Sequence, residues 1–171
     1  KNGRHIDNYT YREIVELAKA GHEVPRITVP VAVMQDMQAH LEWKKPVTIT
    51  LREHKHWEHR NSNLTDWIRF AEYMQEQGEH VIFLRDYAHA DEDIVGFDTF
   101  PEASKNFLVR AALYECAKCN LFVSNGPATL GVFGTRPWMQ FVKVENDEEY
   151  LQNRPDWWWM NHGLSKGEQF P

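Results

Sequence analysis

Cysteine is scarce in this chain: 171 residues carry only two, Cys116 and Cys119. They form a CxxC pair with no second pair and no adjacent histidine, too few ligands for a zinc knuckle. The pair falls where a helix is expected to end rather than begin, which does not suit a thioredoxin-type redox motif. Two reduced, partly buried thiols in a cytoplasmic setting are the expectation. No apolar run approaches the length of a membrane span, and no leader-like stretch is read. Positive charge is also in short supply. Nineteen Lys and Arg stand against 25 Asp and Glu, a net charge of −6. That balance argues against a general nucleic-acid binder, which needs a basic face, but leaves room for a local basic pocket. There is no GxxxxGK[ST], so a P-loop nucleotidase is not expected, and Ser124 lies in no GxSxG elbow. No internal repeat or low-complexity tract is present. The chain begins without Met and ends at Phe170-Pro171, and it is expected to be a fragment of something longer.

What is present suits one α/β domain with a substantial core. Residues 1–45 read as a helical arm or interdomain connector. Tyr11, Ile14, Val15, Leu17 and Ala18 form one apolar stripe ahead of Gly21, and a second helix is expected from about Val31 to Trp43. At Pro46 the pattern changes. Val47–Arg52 is a β-branched run and reads as a strand. A helix capped by Asn63 follows, with Leu64, Trp67, Ile68, Ala71 and Met74 at helical spacing and Gly78 at its end. Strands are expected at His80–Leu84, Ile94–Phe97, Leu121–Val123 and Met139–Val144, with a helix from Ser104 or Asn106 between the second and third of these. Alternation of this kind predicts a Rossmann-like, three-layer α/β/α architecture over 46–145 with a mostly parallel sheet. Residues 146–171 form a tail that is polar and then aromatic at Trp157–Trp159, expected to pack on a sheet edge or on a partner domain.

Three loops at strand ends carry the candidate chemistry. The first, Arg52 to Ser62, offers Arg52, Lys55 and Arg60, partly offset by Glu53 and Glu58. Arginine holds phosphate oxygens bidentately and lysine holds them as a point charge. The second ends in Asp86, a carboxylate placed as in sites that hold ribose hydroxyls. The third is the turn Ser124-Asn125-Gly126-Pro127, leading into a short helix at Ala128–Phe133. Gly126 allows unusual backbone angles and close ligand approach, and Pro127 suits a first helical position. Free amides behind it would make an anion site. All three loops would share the carboxyl rim of a doubly wound sheet, and together they suit a nucleoside diphosphate. His54, His56 and His59 also invite a metal reading, although their spacing is not that of two histidines on one helical face.

The order strand, basic loop, helix, strand ending in a carboxylate, helix, strand, SNGPATLGVFGTRP resembles the carboxyl-terminal half of GT-B-type glycosyltransferases, most nearly the lipopolysaccharide heptosyltransferases. The matching residues are Gly126-Pro127, Leu130, Gly131, Phe133-Gly134 and Pro137, and the likeness spans about Pro46 to Val144. It implies a nucleotide-sugar site: Ser124, Asn125, Gly126, Pro127, Ala128 and Thr129 against the donor phosphates, Arg52, Lys55 or Arg60 as the phosphate cation, and Asp86 on the ribose. It implies transfer to an acceptor hydroxyl, such as that of a glycan or a lipid-linked saccharide, with no metal cofactor. The family's catalytic base lies in an amino-terminal domain, so no catalytic residue is assigned and a missing partner domain or a homo-oligomer is expected. Two departures stand out: Ser124 replaces an Asp two positions before the glycine, and Thr129 replaces a His three positions after it. A non-catalytic nucleotide- or phosphate-binding module, and a metal-dependent hydrolase built on His54, His56 and His59, are the alternatives.

Overall fold

The computed structural model describes residues 11–56, 58–123, 125–141, 162–165, 167–168 and 170–171. The chain divides into two units, 26–141 on the one hand and 1–25 with 142–171 on the other. The second holds helix α1 (Tyr11–Lys19), closed by Gly21 at φ 86°. Lys19 reaches the Glu168 carboxylate at 2.9 Å and the Gly163 carbonyl at 3.0 Å, while the Tyr11 ring meets His162 at a tilt and Phe170 edge to face.

The larger unit is built from β-branched and apolar segments that are too hydrophobic on both sides for an open sheet. Helix α2 (Val31–His40) precedes β1 (Val47–Thr50), and α3 (Leu64–Glu76) leads to β2 (Val81–Leu84). A two-residue β3 (Asp98–Thr99), α4 (Pro101–Lys105), α5 (Phe107–Cys116), β4 (Cys119–Val123), α6 (Ala128–Val132) and β5 (Trp138–Phe141) complete it. All five strands are parallel, in the order β3-β2-β1-β4-β5. Parallel strands need crossovers, and these put helices on both faces and bury the strands completely, as every residue of β1 and β2 is.

Alternation along the strands sorts the two faces. Val47, Ile49, Leu51, Val81, Phe83 and Leu121 pack against Leu64, Trp67, Ile68, Ala71 and Met74 of α3. The opposite face sets Ile82, Leu84 and Phe122 against α2, α4, α5 and α6. It also carries a buried polar string. Thr48 Oγ1 donates to Asn120 Oδ1 at 2.7 Å, Asn120 Nδ2 donates to the Tyr114 carbonyl at 3.1 Å, and the Thr50 and Tyr114 hydroxyls share a 2.7 Å bond. Each of these groups would be costly to bury alone, so the string fixes α5 on β1 and β4 in one register.

The three-layer α/β/α fold is as expected from the sequence, with several local corrections. The expected third strand, Ile94–Phe97, is a tight turn closed by its own antiparallel bridge around Gly96 at φ 88°, and β3 lies just beyond it. Of the two starts expected for the next helix, Asn106 is the one, since its side chain caps α5 by accepting from the Leu108 and Val109 amides, and Ser104 belongs to the separate short α4. Asn63 precedes α3, but its side chain turns to Asp66 instead of capping. Helix α2 stops at His40, and it packs with the sheet unit while α1 belongs to the other. Trp157–Trp159 and residues 142–144 lie outside the described residues. The glycine that the fold requires is Gly131, where a Cβ would lie 2.2 Å from the Phe122 ring.

Candidate rim site at the carboxyl ends of the strands

The strand order reverses at β1: the chain passes outward to β2 and β3, then returns to β4 on β1's other side. Such a reversal leaves a crevice outside the carboxyl ends of β1 and β4, because their following loops diverge. The loops after these two strands are tied across it, since Asn125 Nδ2 donates to the Leu51 carbonyl at 3.3 Å.

The β1 loop closes on itself. Arg52 N donates to Ser62 Oγ and Ser62 N to the Arg52 carbonyl, each at 2.9 Å. Inside that neck, His54 N donates to Asn61 Oδ1 at 3.0 Å and Asn61 Nδ2 returns a bond to the His54 carbonyl at 2.9 Å. A single 3-10 turn, Glu58–Arg60, brings Arg60 back toward Arg52. Burial, and then the charge of Arg52, lower the pKa of Arg60. Arg52 Nη2 is anchored on the His56 carbonyl at 2.9 Å, while its buried Nε has no hydrogen-bond partner. Among the described residues no carboxylate pairs with Arg52. Lys55 is exposed on the same loop.

The acidic residues at this rim are turned to other tasks. Glu53 accepts from Arg85 Nη2 at 2.5 Å and from Arg85 Nε at 3.0 Å, and both side chains are largely buried. Glu92 adds a second carboxylate to Arg85 at 3.1 Å. These contacts, that with Glu53 foremost, hold the Arg85 pKa above its ordinary value. Ser104 Oγ donates to the Arg85 carbonyl at 2.8 Å, joining α4 to the group. Asp86 accepts from the Glu53 amide through Oδ2 at 2.6 Å, so its carboxylate is oriented by the β1 loop.

The turn after β4 differs from the sequence expectation. The amides behind Pro127 are not free. Ala128 N donates to Asn125 Oδ1 at 3.2 Å, Thr129 N to the Gly126 carbonyl at 3.1 Å and Leu130 N to the Pro127 carbonyl at 3.0 Å. Asn125 caps the turn with its own side chain, and a five-residue helix has little dipole to add. Anion-binding capacity therefore rests with the guanidiniums. Gly126 has no left-handed φ, and a Cβ there would meet nothing within 4 Å, so its openness leaves room for a ligand without being forced by the fold. Asn125 is half-buried, Ala128 is buried and Thr129 is exposed; Ser124 lies outside the described residues.

The histidines do not assemble. His54 and His56 rings lie 5.3 Å apart, and the His56 amide donates to His54 Nδ1 at 3.1 Å, using one nitrogen that a metal would need. Among the described residues no group of three His, Cys, Asp or Glu is arranged to hold a metal ion. Cys116 and Cys119 are free thiols whose pKa values are raised chiefly by burial, so they resist ionisation. Among the described residues no helix is long and apolar enough to cross a membrane.

Three loops singled out by sequence thus meet at one rim. Sequence reasoning missed the Arg85–Glu53 pair, because Glu53 was read only as a partial offset to its own loop. The readable signal was opposite charges just past two adjacent parallel strands. Comparison with protein-family models, curated proteins and solved structures finds no match.

Proposed function

We propose that residues 26–141 bind a nucleotide-activated sugar, as the donor half of a GT-B-type glycosyltransferase. The observation that carries the reading is that Arg52 and Arg60 stand on one loop closed on itself at the carboxyl end of β1, with the buried Nε of Arg52 lacking a hydrogen-bond partner. Two guanidiniums on one strand-end loop suit the two phosphates of a diphosphate. Asp86, oriented by the Glu53 amide, is positioned on the neighbouring strand end for a ribose hydroxyl. In the transfer step the guanidiniums stabilise charge building on the leaving diphosphate while an acceptor hydroxyl attacks the anomeric carbon. The base that takes the hydroxyl proton belongs outside this site.

A panel of nucleoside diphosphates carrying different bases, each with and without a divalent cation, tests the reading by thermal shift. Ligand that binds the native state raises apparent stability. A shift with one base in the absence of metal is expected. No shift with any nucleotide would overturn the reading. A shift without turnover of the matching nucleotide sugar, tried against glycan acceptors, would leave a nucleotide-binding module.

A further inference from the structure

A nucleoside diphosphate spans two chemistries, a doubly charged anion and a ribose, and these are assigned above to side chains on different strands. Arg52 and Arg60 stand on the β1 loop, and Asp86 follows β2. Two side chains on separate loops recognise one ligand only if the loops keep a fixed offset. The contacts that set this offset form a closed ring. Arg85 grips the Glu53 carboxylate at 2.5 and 3.0 Å, and the Glu53 amide in turn grips the Asp86 carboxylate at 2.6 Å. Residues 85 and 86 are adjacent, as are 52 and 53, so the ring locks a phosphate-side arginine to the ribose-side carboxylate through two crossed links. The Arg85 side chain is only 9% exposed and that of Glu53 15%, so water competes weakly for either end. Arg85 Nη1 also meets the Glu92 carboxylate, and the Arg85 backbone carbonyl accepts from Ser104 Oγ, which ties the end of β2 to α4.

We infer that Glu53 and Arg85 are specificity-determining positioning residues: they touch no ligand, and they register Asp86 against Arg52 and Arg60 so that the site prefers a nucleoside diphosphate over bare pyrophosphate. The inference rests on the nucleotide-sugar reading above. Pyrophosphate engages the guanidiniums alone and does not need the offset. A nucleoside diphosphate needs both subsites at the correct separation, since hydrogen bonds lose strength steeply with misplacement.

The test is a pair of dissociation constants, for pyrophosphate and for the nucleoside diphosphate that shifts the wild type most, measured by calorimetry. Glu53→Gln keeps the side chain's shape and leaves Arg85 its Glu92 partner. Arg85→Lys keeps the charge but cannot make the two-pronged contact. Each is expected to reduce the preference for the nucleoside diphosphate by about tenfold while pyrophosphate affinity stays within about twofold, the size of one lost charge-assisted bond. Asp86→Asn should reduce the same preference with the ring otherwise intact. If both ring variants keep the wild-type preference, or lose both ligands in parallel, the ring is merely structural and the inference fails. If the wild type binds neither ligand, it is the nucleotide reading that fails.

Discussion

The two ends of this sheet handle charge in opposite ways. At the amino end, side chains pair near the surface: His80 Nε2 meets Asp98 at 2.7 Å, and Lys118 meets Glu79. Asp98 is 70% exposed and Lys118 57%, so water screens both contacts and they add little to stability. At the carboxyl end one ion pair, Arg85 with Glu53, is drawn inward. Arg85 holds Glu53 in largely buried surroundings and reaches the exposed Glu92 carboxylate, while Arg52 and Arg60 share the loop after β1. An inward ion pair beside a loop that carries two arginines, at one end of the sheet only, is what the proposed binding site would need.

The largest expected contrast is in stability. Arg85→Met leaves Glu53 buried without its cation and should cost roughly 3 kcal/mol, as breaking buried pairs does. Lys118→Met at the amino end should cost less than about 1 kcal/mol. Urea denaturation at neutral pH measures both, and equal costs would dissolve the distinction between the ends. The next contrast is in binding. Arg52→Ala and Arg60→Ala should each weaken a nucleoside diphosphate by about 1.5–3 kcal/mol, the range for a direct charged contact. Asp98→Asn should leave that affinity unchanged. If neither arginine variant weakens binding, the cationic loop has no place in the site.

A smaller effect probes what lies beneath the rim. Burial raises the pKa of the Tyr114 phenol, whose hydroxyl meets Thr50 at the end of β1. The neutral phenol is favoured in the folded state. Its contribution is therefore complete below the unfolded pKa of about 10 and is lost as pH rises through that value toward the higher folded one. Tyr114→Phe should cost about 1 kcal/mol at neutral pH and flatten the alkaline loss of stability. A pH series of denaturation midpoints with unchanged alkaline slope would show that the phenol does not titrate against folding. The smallest effect belongs to His80→Gln, expected to change stability by less than about 0.5 kcal/mol with no change in ligand affinity, as fits an exposed pair.

Much of this organisation was legible in the residues themselves. β-Branched runs at Val47–Thr50 and Val81–Leu84, separated by the apolar stripe Leu64 to Met74, are dense enough to demand a parallel sheet covered on both sides. Turn chemistry placed the loops that carry Arg52, Asp86 and Asn125. Boundaries were less legible where capping decided them. Asn106 ends one helix and starts the next because its side chain satisfies the Leu108 and Val109 amides, and no periodicity records that. Asn125 satisfies the Ala128 amide in the same way, so a backbone donor that the sequence suggested for an anion is already engaged.

Composition and periodicity alone determine that the chain alternates strands with helices, carries too little positive charge for a general nucleic-acid face, and sets basic and acidic residues just past its strands. Those are local properties, because burial pattern, net charge and turn chemistry act over a few residues. Which charges meet was decided only by the tertiary structure. Glu53 and Arg85 are 32 residues apart and become partners because β1 and β2 pair in register, Thr50 beside Leu84. Arg52 and Asn125 share a crevice because β4 returns to the far side of β1. Strand order and register are long-range outcomes of closing the whole core at once, and the candidate site is assembled from them.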